Sequence, residues 1–423
     1  MSGLIVEASE LRRGTLPLNK IIRGDALEVL KKFPSNSVDC VVTSPPYWCY
    51  AEGHEILTQD GWKDISMVRE GDVVLSVNPE NMELEWVKVT ATRRWYYEGP
   101  MVEFKNTHID LLVTPNHKML VYYSKPGRAV KPRAIAGYFK PTRDVQGCFF
   151  VPAKDIKSNY ITPKTGFKWR GKEPEFFTLP ALVTIYNKQR RIYPPKQIKI
   201  EDWVAFLGLW IAEGSVRGSK GGRKISYSVS IKQKPPNDRR VRELLKRLPF
   251  SFREYRRADD VTVFEITDKQ LWHYLRQLGN SRTKFIPREI KELSPRLLRV
   301  FLKWYLFGDG YHRRDGKIEA FTASKRLRDD LAEIALKIGS NLSVQKSGII
   351  TFLKRKTVKL RDAMRETYYR GLVFGIEVEK NHTLCVRRNN KIVFSGNSKR
   401  MYPGTEKVWG GSEFCKHEFD GDF

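Results

Sequence analysis

Two positions far apart in this sequence carry residues that can rearrange peptide bonds. Cys49 follows Trp48, and its thiol can attack the preceding carbonyl and convert that amide into a thioester. Asn397 precedes Ser398, and its side-chain amide can cyclise onto its own carbonyl and break the bond to the serine. The serine hydroxyl is a second nucleophile. These residues could exchange acyl groups between the two junctions without any cofactor.

A second pair of residues could bind a metal ion. Glu213 and Asp309 lie 96 residues apart, and each ends an apolar stretch and precedes a glycine, in FLGLWIAEG and FLKWYLFGDG. An acid at the C-terminus of a helix opposes the helix dipole. Two acids in matching contexts therefore indicate a metal that compensates for this placement.

Two helices must position these acids. The first is predicted to begin near Glu201, and the second to begin at Pro295 with Ser294 as its N-cap. We expect each following glycine, Gly214 and Gly310, to adopt the left-handed conformation that often ends helices.

The surrounding sequence divides into regions of different texture. Alternating apolar and polar residues with turn signals predict an all-β region from 49 to about 154, which returns at 366–397. Residues 201–365 alternate helices and strands, and residues 155–200 form a basic, aromatic arm. The sequence therefore predicts a mixed fold, in which an α/β domain is inserted into a β domain.

The charge distribution indicates a polyanionic partner. The chain carries a net charge of +28 over 423 residues. Residues 1–48 contribute +1 and residues 398–423 contribute −1, so residues 49–397 hold the whole excess, with 66 basic and 38 acidic side chains. Such an excess is typical of proteins that bind nucleic acid.

Other features narrow the class of protein. Five scattered cysteines do not form a disulfide framework. No apolar run approaches the roughly 18 residues of a membrane helix, and the first residues lack a signal peptide. We expect a monomeric, cytoplasmic protein with no membrane partner.

The two acidic segments resemble the paired motifs of LAGLIDADG homing endonucleases. In that family the two helices pack side by side, and small residues such as Gly208 and Ala212 would permit close approach. The resemblance implies that Glu213 and Asp309 hold Mg²⁺ and catalyse cleavage of double-stranded DNA. Lys232 and Lys284 could assist.

Four further segments resemble, in order, the conserved blocks of inteins, which are protein-splicing elements. They are CYAEGHEILTQDG from Cys49, Thr114–His117, the segment from Gly375 to His382, and VFSGNS ending at Ser398. The resemblance covers residues 49–397 and implies a horseshoe-like β splicing (Hint) domain that hosts the endonuclease. Splicing would excise these residues and join Trp48 to Ser398.

The intein resemblance also assigns roles to residues between the junctions. Thr114 and His117 would bind the amide before Cys49 and protonate its departing nitrogen, a role suited to imidazole. His382 would assist cleavage after Asn397.

Two positions depart from the intein pattern. Gly396 stands where histidine often precedes the terminal asparagine, and Gly375 stands where aspartate is common. Both missing groups act in activating the junctions, so we expect slow or condition-dependent splicing.

The amino-terminal flank resembles a third family, the amino-methyltransferases of DNA. Residues 20–48 end in TSPPYW, in which Ser44, Pro45, Pro46 and Tyr47 would form the loop that binds a flipped base. Serine at position 44 is similar to the cytosine-N4 subgroup.

No motif for S-adenosylmethionine follows this loop, so the cofactor-binding residues are unknown. The joined flanks total 48 + 26 = 74 residues, too few for a methyltransferase domain. We expect this chain not to methylate DNA, and S-adenosylmethionine to serve only a complete host enzyme.

These observations predict six segments. They are a methyltransferase flank (1–48), a splicing domain in two parts (49–154 and 366–397), a basic arm (155–200), an endonuclease (201–365) and a second flank (398–423). The expected DNA partner is a homing site in the uninterrupted methyltransferase gene. Two alternatives remain: a nuclease whose splicing domain is impaired, and a DNA-binding module with inert flanks.

Overall fold

The computed structural model describes eight stretches of the chain: residues 5–24, 26–39, 49–124, 148–186, 189–217, 227–345, 347–353 and 357–397. The predicted base-binding loop, Trp48 and Ser398 lie outside the described residues. The chain divides into two compact units, Met1–Pro46 and Tyr47–Phe423.

The first unit contains one short helix and two parallel strands. Strand β1 (Ile5–Glu7) pairs with β2 (Ile21–Arg23), and helix α1 (Ala26–Leu30) comes next.

The second unit begins with short strands, as the alternating pattern predicts. These are β3 (Tyr50–Ala51), β4 (Glu55–Thr58), β5 (Gly61–Asp64), β6 (Val73–Val77), β7 (Glu83–Lys105), β8 (Asp110–Val113), β9 (Lys118–Tyr123), β10 (Phe149–Pro152), β11 (Tyr160–Pro163) and β12 (Lys168–Trp169). Four more strands come after these as two antiparallel ladders. They are β13 (Phe176–Leu179) with β16 (Lys196–Lys199), and β14 (Leu182–Tyr186) with β15 (Gln189–Tyr193).

The next region contains one arrangement twice. The first copy is α2 (Ile200–Glu213), β17 (Gly214–Arg217), β18 (Ser228–Gln233), α3 (Asp238–Lys246), β19 (Phe252–Arg256) and β20 (Thr262–Thr267). Helices α4 (Lys269–Arg276) and α5 (Arg288–Lys291) intervene. The second copy is α6 (Pro295–Asp309), β21 (Gly310–His312), β22 (Ile318–Phe321), α7 (Lys325–Lys337), β23 (Asn341–Val344) and β24 (Ile349–Leu353).

The two copies build sheets with the same strand order. The first antiparallel sheet runs β17-β18-β20-β19, and the second runs β21-β22-β24-β23. The sequence contains twice a helix that ends in an acid and a glycine. In the structure, each of these helices begins one copy of the same larger unit of helices and strands.

The chain then returns to the β region with β25 (Thr357–Lys359), β26 (Met364–Val378), β27 (Thr383–Arg388) and β28 (Lys391–Gly396). Strands β26, β27 and β28 complete a ten-stranded sheet. Its order is β26-β3-β8-β7-β6-β4-β27-β28, with β12 on β7 and β5 on β4. A separate sheet runs β10-β9-β11-β25. Strands from residues 49–163 and 357–396 therefore form common sheets around the inserted repeat.

A small hydrophobic cluster contains Cys49, Met101 and Val373, and two larger hydrophobic cores support this arrangement. One lies among the β strands and includes Val87, Phe104 and Val393. The other surrounds α2 and α6 and extends into the β region through Leu57 and Phe394. No described helix is long and apolar enough to span a membrane.

The predicted helix starts are confirmed, but the predicted role of the glycines is wrong. Ser294 accepts a hydrogen bond from the Leu297 amide at 3.3 Å and caps α6. Gly214 and Gly310 both have φ of −81° and continue as extended backbone. A Cβ at Gly214 would lie 2.1 Å from the Trp210 ring. Glycine is needed at this position for space, not for a left-handed turn.

Candidate functional site

The two acid-bearing helices pack in direct backbone contact. A Cβ at Gly208 would lie 2.4 Å from the carbonyl oxygen of Phe301, and one at Gly308 would lie 2.6 Å from the Cβ of Ala212. Real Cβ atoms do not approach this closely. The predicted close approach at Gly208 and Ala212 is confirmed, and Gly308 is its counterpart on α6.

This packing brings the two predicted acids to the same end of the helix pair. The Cβ position at Gly308 lies 2.9 Å from the Cγ of Glu213, and Asp309 is the next residue. Both carboxyl groups are half-buried. Burial raises the pKa of Glu213, and burial together with the Glu213 charge raises the pKa of Asp309 to about 7.

Lys284 lies beside the acids. Its Nζ donates to the carbonyls of Trp210 and Ile211, both at 2.9 Å, and of Gly214 at 2.7 Å. These carbonyls lie at the C-terminal end of α2, which is the negative end of the helix dipole. The positive charge of Lys284 therefore offsets the unfavourable placement of an acid at this end. Burial lowers the pKa of Lys284 to about 8, against the opposing effect of the nearby acids. Lys232, the other predicted helper, lies on β18 opposite Val263.

The donor set of this site fits a divalent cation. Each half-buried carboxylate makes it less favourable for the other to ionise, because like charges repel. A bound cation would remove this repulsion. Mg²⁺ is usually held by one or two carboxylates, with water and substrate phosphates completing its shell. Among the described residues, no cluster of three or more His, Cys, Asp or Glu side chains is placed to bind a metal. Glu213 and Asp309 are the carboxylates that could hold a divalent cation at this place.

A second group of predicted residues meets in the β region around Cys49. The Cys49 side chain is buried, and its backbone is held on both sides by Thr114. The Cys49 amide donates to Thr114 Oγ1 at 3.1 Å, and the Thr114 amide donates to the Cys49 carbonyl at 3.0 Å. This places the threonine hydroxyl on the nitrogen of the bond that joins Trp48 to Cys49.

His117 is attached to the same turn. Its amide donates to the Thr114 carbonyl at 2.9 Å, closing a β-turn with Pro115 at the position that favours proline. The His117 ring is buried, and its Nε2 lies 2.8 Å from Ser395 Oγ. Within the described part of the chain no group hydrogen-bonds to Nδ1. Burial lowers the pKa of His117 to about 3, so the ring is neutral at pH 7.

Asn397 is held by backbone groups. Its amide donates to the His382 carbonyl at 3.0 Å. In the orientation that satisfies both partners, its side-chain nitrogen donates to the same carbonyl at 3.2 Å and its side-chain oxygen accepts from the Val378 amide at 3.0 Å. Asn381 and His382 both adopt positive φ, of 65° and 52°, in the turn that presents this carbonyl. The predicted helper His382 therefore contacts Asn397 through its backbone.

Tyr50 is a residue that sequence reasoning missed. Its hydroxyl donates to the Gly396 carbonyl at 2.6 Å, and its ring packs edge-on against His117 with the centroids 4.4 Å apart. The side chain is fully buried. Tyr50 thus joins residues next to Cys49 and Asn397, which are separated by almost the whole insert. Its only sequence signal is adjacency to Cys49.

Gly396 has a structural reason for lacking a side chain. A Cβ at this position would lie 2.6 Å from both the Cβ and the carbonyl oxygen of Lys118. The usual histidine cannot fit in this arrangement of β28 and β9. Gly375, the other departure, lies within β26 opposite Arg93 of β7.

His54 is a second missed residue of the same cluster. Its Nδ1 donates to the Ala51 carbonyl at 2.7 Å, and its Nε2 accepts from the Leu112 amide at 3.3 Å. Burial lowers its pKa to about 4. His54 is therefore a neutral structural group that ties β3 to β8.

No family model matches this chain. It is 27% identical over 349 residues to the ATP-dependent Clp protease proteolytic subunit of Chlamydomonas moewusii, covering 79% of this chain and 31% of that protein. It is 28% identical over 424 residues to the C-terminal section of the DNA-directed RNA polymerase subunit beta of Stigeoclonium helveticum, covering 84% and 37%. The chain thus spans about a third of the length of these relatives.

A shorter similarity involves a methyltransferase. A stretch of 42 residues is 55% identical to the type II methyltransferase M.Cfr9I of Citrobacter freundii, covering 10% of this chain and 12% of that protein.

Solved structures with a partial likeness include homing endonucleases. The structure of I-DmoI in complex with DNA and Ca is 17% identical, with a TM-score of 0.30, and covers 39% of this chain and 86% of that chain. The N-terminal LAGLIDADG domain of DUF199/WhiA is 11% identical, with a TM-score of 0.26, and covers 37% and 75%.

Proposed function

We propose that residues 49–397 form a self-splicing element that excises itself and joins Trp48 to Ser398. The observation that carries this proposal is the meeting of both ends of the segment in one buried cluster. The Tyr50 hydroxyl bonds the Gly396 carbonyl across 346 positions of sequence. Acyl exchange between two junctions requires such proximity, because a nucleophile gains its rate by being held at its target.

The first step is attack of the Cys49 thiolate sulfur on the Trp48 carbonyl carbon. The carbon–nitrogen bond breaks, a thioester forms and the Cys49 nitrogen takes a proton. Thr114 orients this nitrogen through the 3.1 Å hydrogen bond to its hydroxyl. The neutral His117 ring takes the proton of the Cys49 thiol, which leaves the attacking thiolate, and passes that proton to the departing nitrogen. Because burial disfavours the charged ring, the imidazolium formed in between is a strong acid.

The remaining steps move the acyl group and release the insert. The Ser398 oxygen attacks the thioester carbonyl and expels the Cys49 thiolate. The Asn397 side-chain nitrogen then attacks the Asn397 carbonyl carbon, forming a succinimide and freeing the Ser398 amine. The amine displaces the ester oxygen and leaves a normal peptide bond. Val378 supports the cyclisation because its amide holds the Asn397 side-chain oxygen at 3.0 Å.

The pattern of relatives supports an excisable element. Two relatives with unrelated names share most of this chain but only 31% and 37% of their own length. A segment shared by proteins of unrelated names is expected of an insert that leaves its host. We assign the host of this insert to DNA methyltransferases of the cytosine-N4 type, consistent with the 42 residues shared with M.Cfr9I.

Intact-mass analysis of the expressed chain tests splicing. We expect an excised product of 397 − 48 = 349 residues and a ligated product of 74 residues. Cys49→Ala should prevent ligation, and Asn397→Ala should trap the branched or thioester form. A single uncleaved chain under all conditions of pH and temperature would contradict the proposal.

We also propose that the repeated α/β region cleaves double-stranded DNA with a divalent cation. The half-buried pair Glu213 and Asp309, at the ends of two helices in backbone contact, supports this second activity. Mg²⁺ held there would activate water and stabilise the leaving oxygen of a phosphodiester. The pair's own contribution is to bind and orient the cation where the two repeats meet.

A cleavage assay on the uninterrupted host coding sequence tests this second activity. We expect Mg²⁺-dependent cutting that is lost in Glu213→Gln and in Asp309→Asn. Glu243→Gln is the matched control, because Glu243 is an exposed acid paired with Lys246 on α3. Equal cutting by all three variants would refute the two-carboxylate site.

A further inference from the structure

The segment from residue 176 to residue 199 is a two-stranded arm with no acidic side chain. It contains five basic residues, Lys188, Arg190, Arg191, Lys196 and Lys199. Its proximal ladder pairs β13 with β16, and its distal ladder pairs β14 with β15. The arm leads directly into α2, the helix that ends in Glu213.

The base of the arm is firmly attached to the α/β region. The Phe177 ring stacks on Trp203 with the centroids 4.2 Å apart and the planes 3° from parallel. The buried side-chain amide of Gln270 donates to the carbonyls of Pro180 at 2.7 Å and Pro194 at 3.0 Å. These two prolines lie on opposite strands, between the ladders. Gln270 therefore fixes both strands at the point where the distal ladder begins.

The distal ladder starts beside the outer end of the first four-stranded sheet. Lys269 Nζ lies 5.8 Å from the Tyr193 ring centroid and 4.9 Å from that of Tyr227. Tyr227 immediately precedes β18. The adjoining strand β17 begins directly after Glu213, and the carbonyl of Arg217 at its other end accepts from Trp272 Nε1 at 2.9 Å. The arm thus continues from the end of this sheet that is distant from the acids.

One face of the distal ladder exposes apolar side chains beside an arginine. Val183 is paired with Ile192, and Ile185 with Arg190. Ile185 is 75% exposed, Ile192 58% and Val183 49%. An isolated two-stranded ladder is marginally stable in water, and exposed apolar clusters usually mark a binding surface.

We propose that this distal ladder enters the major groove of duplex DNA to one side of the cleavage site, at a distance from it, and reads bases there. The major groove admits a two-stranded β-ribbon, arginine can bond guanine, and aliphatic side chains can contact the thymine methyl. The absence of acidic residues in the arm favours a polyanion over a protein surface. The proposal rests on the proposed DNA cleavage and adds a recognition surface to it.

Footprinting on the uninterrupted host coding sequence tests the arm. The full chain carries Cys49→Ala and Asn397→Ala so that it stays intact, and EDTA prevents cutting. We expect Arg190→Gln with Arg191→Gln to remove protection at one end of the footprint. The slope of log affinity against log salt concentration should fall by about 1 to 2. The control is Arg93→Gln with Arg94→Gln, which replaces two consecutive exposed arginines on β7. It should leave the footprint and the salt slope unchanged.

Thymine-to-uracil substitution tests the apolar face. Removing the methyl groups at the protected end should weaken binding about fourfold per contacted base. The variant Ile185→Ser with Ile192→Ser should lose this sensitivity. If these variants instead abolish self-association in sedimentation experiments, the face is a contact between copies and the proposal is wrong.

Two negative results are distinguishable. An unchanged footprint for the arginine variant, on DNA that the unmodified chain cuts in Mg²⁺, overturns the role of the arm and leaves the nuclease proposal standing. If the chain with Cys49→Ala and Asn397→Ala and an intact arm leaves no footprint on any part of the host DNA, DNA recognition is overturned altogether.

Discussion

At the scale of single residues, Lys118 and Tyr50 determine the surroundings of Gly396, the position at which the intein pattern often has histidine. Lys118 leaves no space for a side chain at Gly396, while the Tyr50 hydroxyl bonds the Gly396 carbonyl. The tyrosine comes from the strand that begins next to Cys49, so its side chain links that strand to the backbone before Asn397. A buried hydroxyl can thus hold the backbone before Asn397 without any side chain at position 396.

Replacing this hydroxyl tests its role as a positioning group. Tyr50→Phe removes one buried hydrogen bond worth about 1 kcal/mol, and we expect Asn397 cleavage to slow by up to about tenfold. Cleavage at Cys49 by an added thiol should change much less, because the ring against His117 remains. Tyr368→Phe is the control, since Tyr368 is exposed and its hydroxyl bonds the Glu98 carboxylate at 3.0 Å. Equal slowing of both cleavages would point to a structural role.

The buried histidines predict how stability depends on pH. Burial lowers the pKa of His54 to about 4 and that of His117 to about 3, from an ordinary value of 6.5. The unfolded chain therefore binds more protons at intermediate pH. The stability that these neutral rings contribute is complete above pH 6.5 and is lost as the pH falls toward 3.

Urea unfolding across this pH range measures the effect. The chain with Cys49→Ala and Asn397→Ala should lose unfolding free energy steadily below pH 6.5, and adding His117→Asn should make the dependence shallower. Identical pH profiles for the two chains would show that His117 does not titrate as burial requires.

At the scale of elements, the helix pair α2 and α6 shows how a glycine can stabilise a helix. Glycine within a helix usually costs about 0.5–1 kcal/mol relative to alanine. At Gly208 the expected sign is reversed, because a Cβ would meet the Phe301 carbonyl at 2.4 Å. The close contact also sets the spacing of the acids that end the two helices.

Alanine substitutions separate stability from catalysis in this pair. Gly208→Ala should lower the free energy of unfolding by about 1–3 kcal/mol through overpacking. Gly308→Ala should lower stability as well, because its Cβ would lie 2.6 Å from the Cβ of Ala212, and it should also slow cleavage, because that Cβ would lie 2.9 Å from the Cγ of Glu213. Thermal melts and DNA cleavage rates measure the two effects. A stabilising effect of Gly208→Ala would contradict the observed packing.

At the scale of the whole second unit, the β region and the inserted repeat share buried ionic contacts. Arg387 of β27 bonds Glu55 of β4 at 2.6 Å and Asp329 of α7 at 2.5 Å, and its guanidinium lies 4.3 Å from the Trp62 ring centroid. Arg387 is almost fully buried. Since β27 pairs with β28, the strand leading to Asn397, the repeat is connected to the cluster around Cys49 and Asn397.

This connection predicts coupling between the two regions. Arg387→Ala should destabilise the protein by about 1.5–3 kcal/mol, because it leaves the half-buried carboxylates of Glu55 and Asp329 without their charged partner. A double-mutant cycle with Asp329→Ala should give a coupling energy above about 0.5 kcal/mol, and Asp329→Ala alone should slow splicing. Arg370→Ala, at an exposed ion pair with Glu98, is the control. If the effects of Arg387→Ala and Asp329→Ala on stability are additive, this contact does not couple the β region to the repeat.

The sequence by itself predicted the elements that local rules govern. Periodicity gave the strands of the β region, and Ser294 and Pro295 marked the start of α6 because capping depends on neighbouring residues. The repeated acid-glycine pattern indicated the internal repeat, and Gly208 with Ala212 indicated close helix packing. The types of residue at Cys49, Asn397 and Ser398 predicted acyl chemistry, which stays a prediction until splicing is measured.

Only the tertiary structure decided features that depend on distant segments. Tyr50, Ser395 and His54 entered the junction cluster because strand pairing brought them there, which no spacing rule anticipates. Gly214 and Gly310 proved to be extended, since neighbouring side chains and carbonyls, not backbone handedness, require glycine. A sequence records which groups are available, whereas burial and proximity, which determine their pKa values and partners, arise when the chain folds.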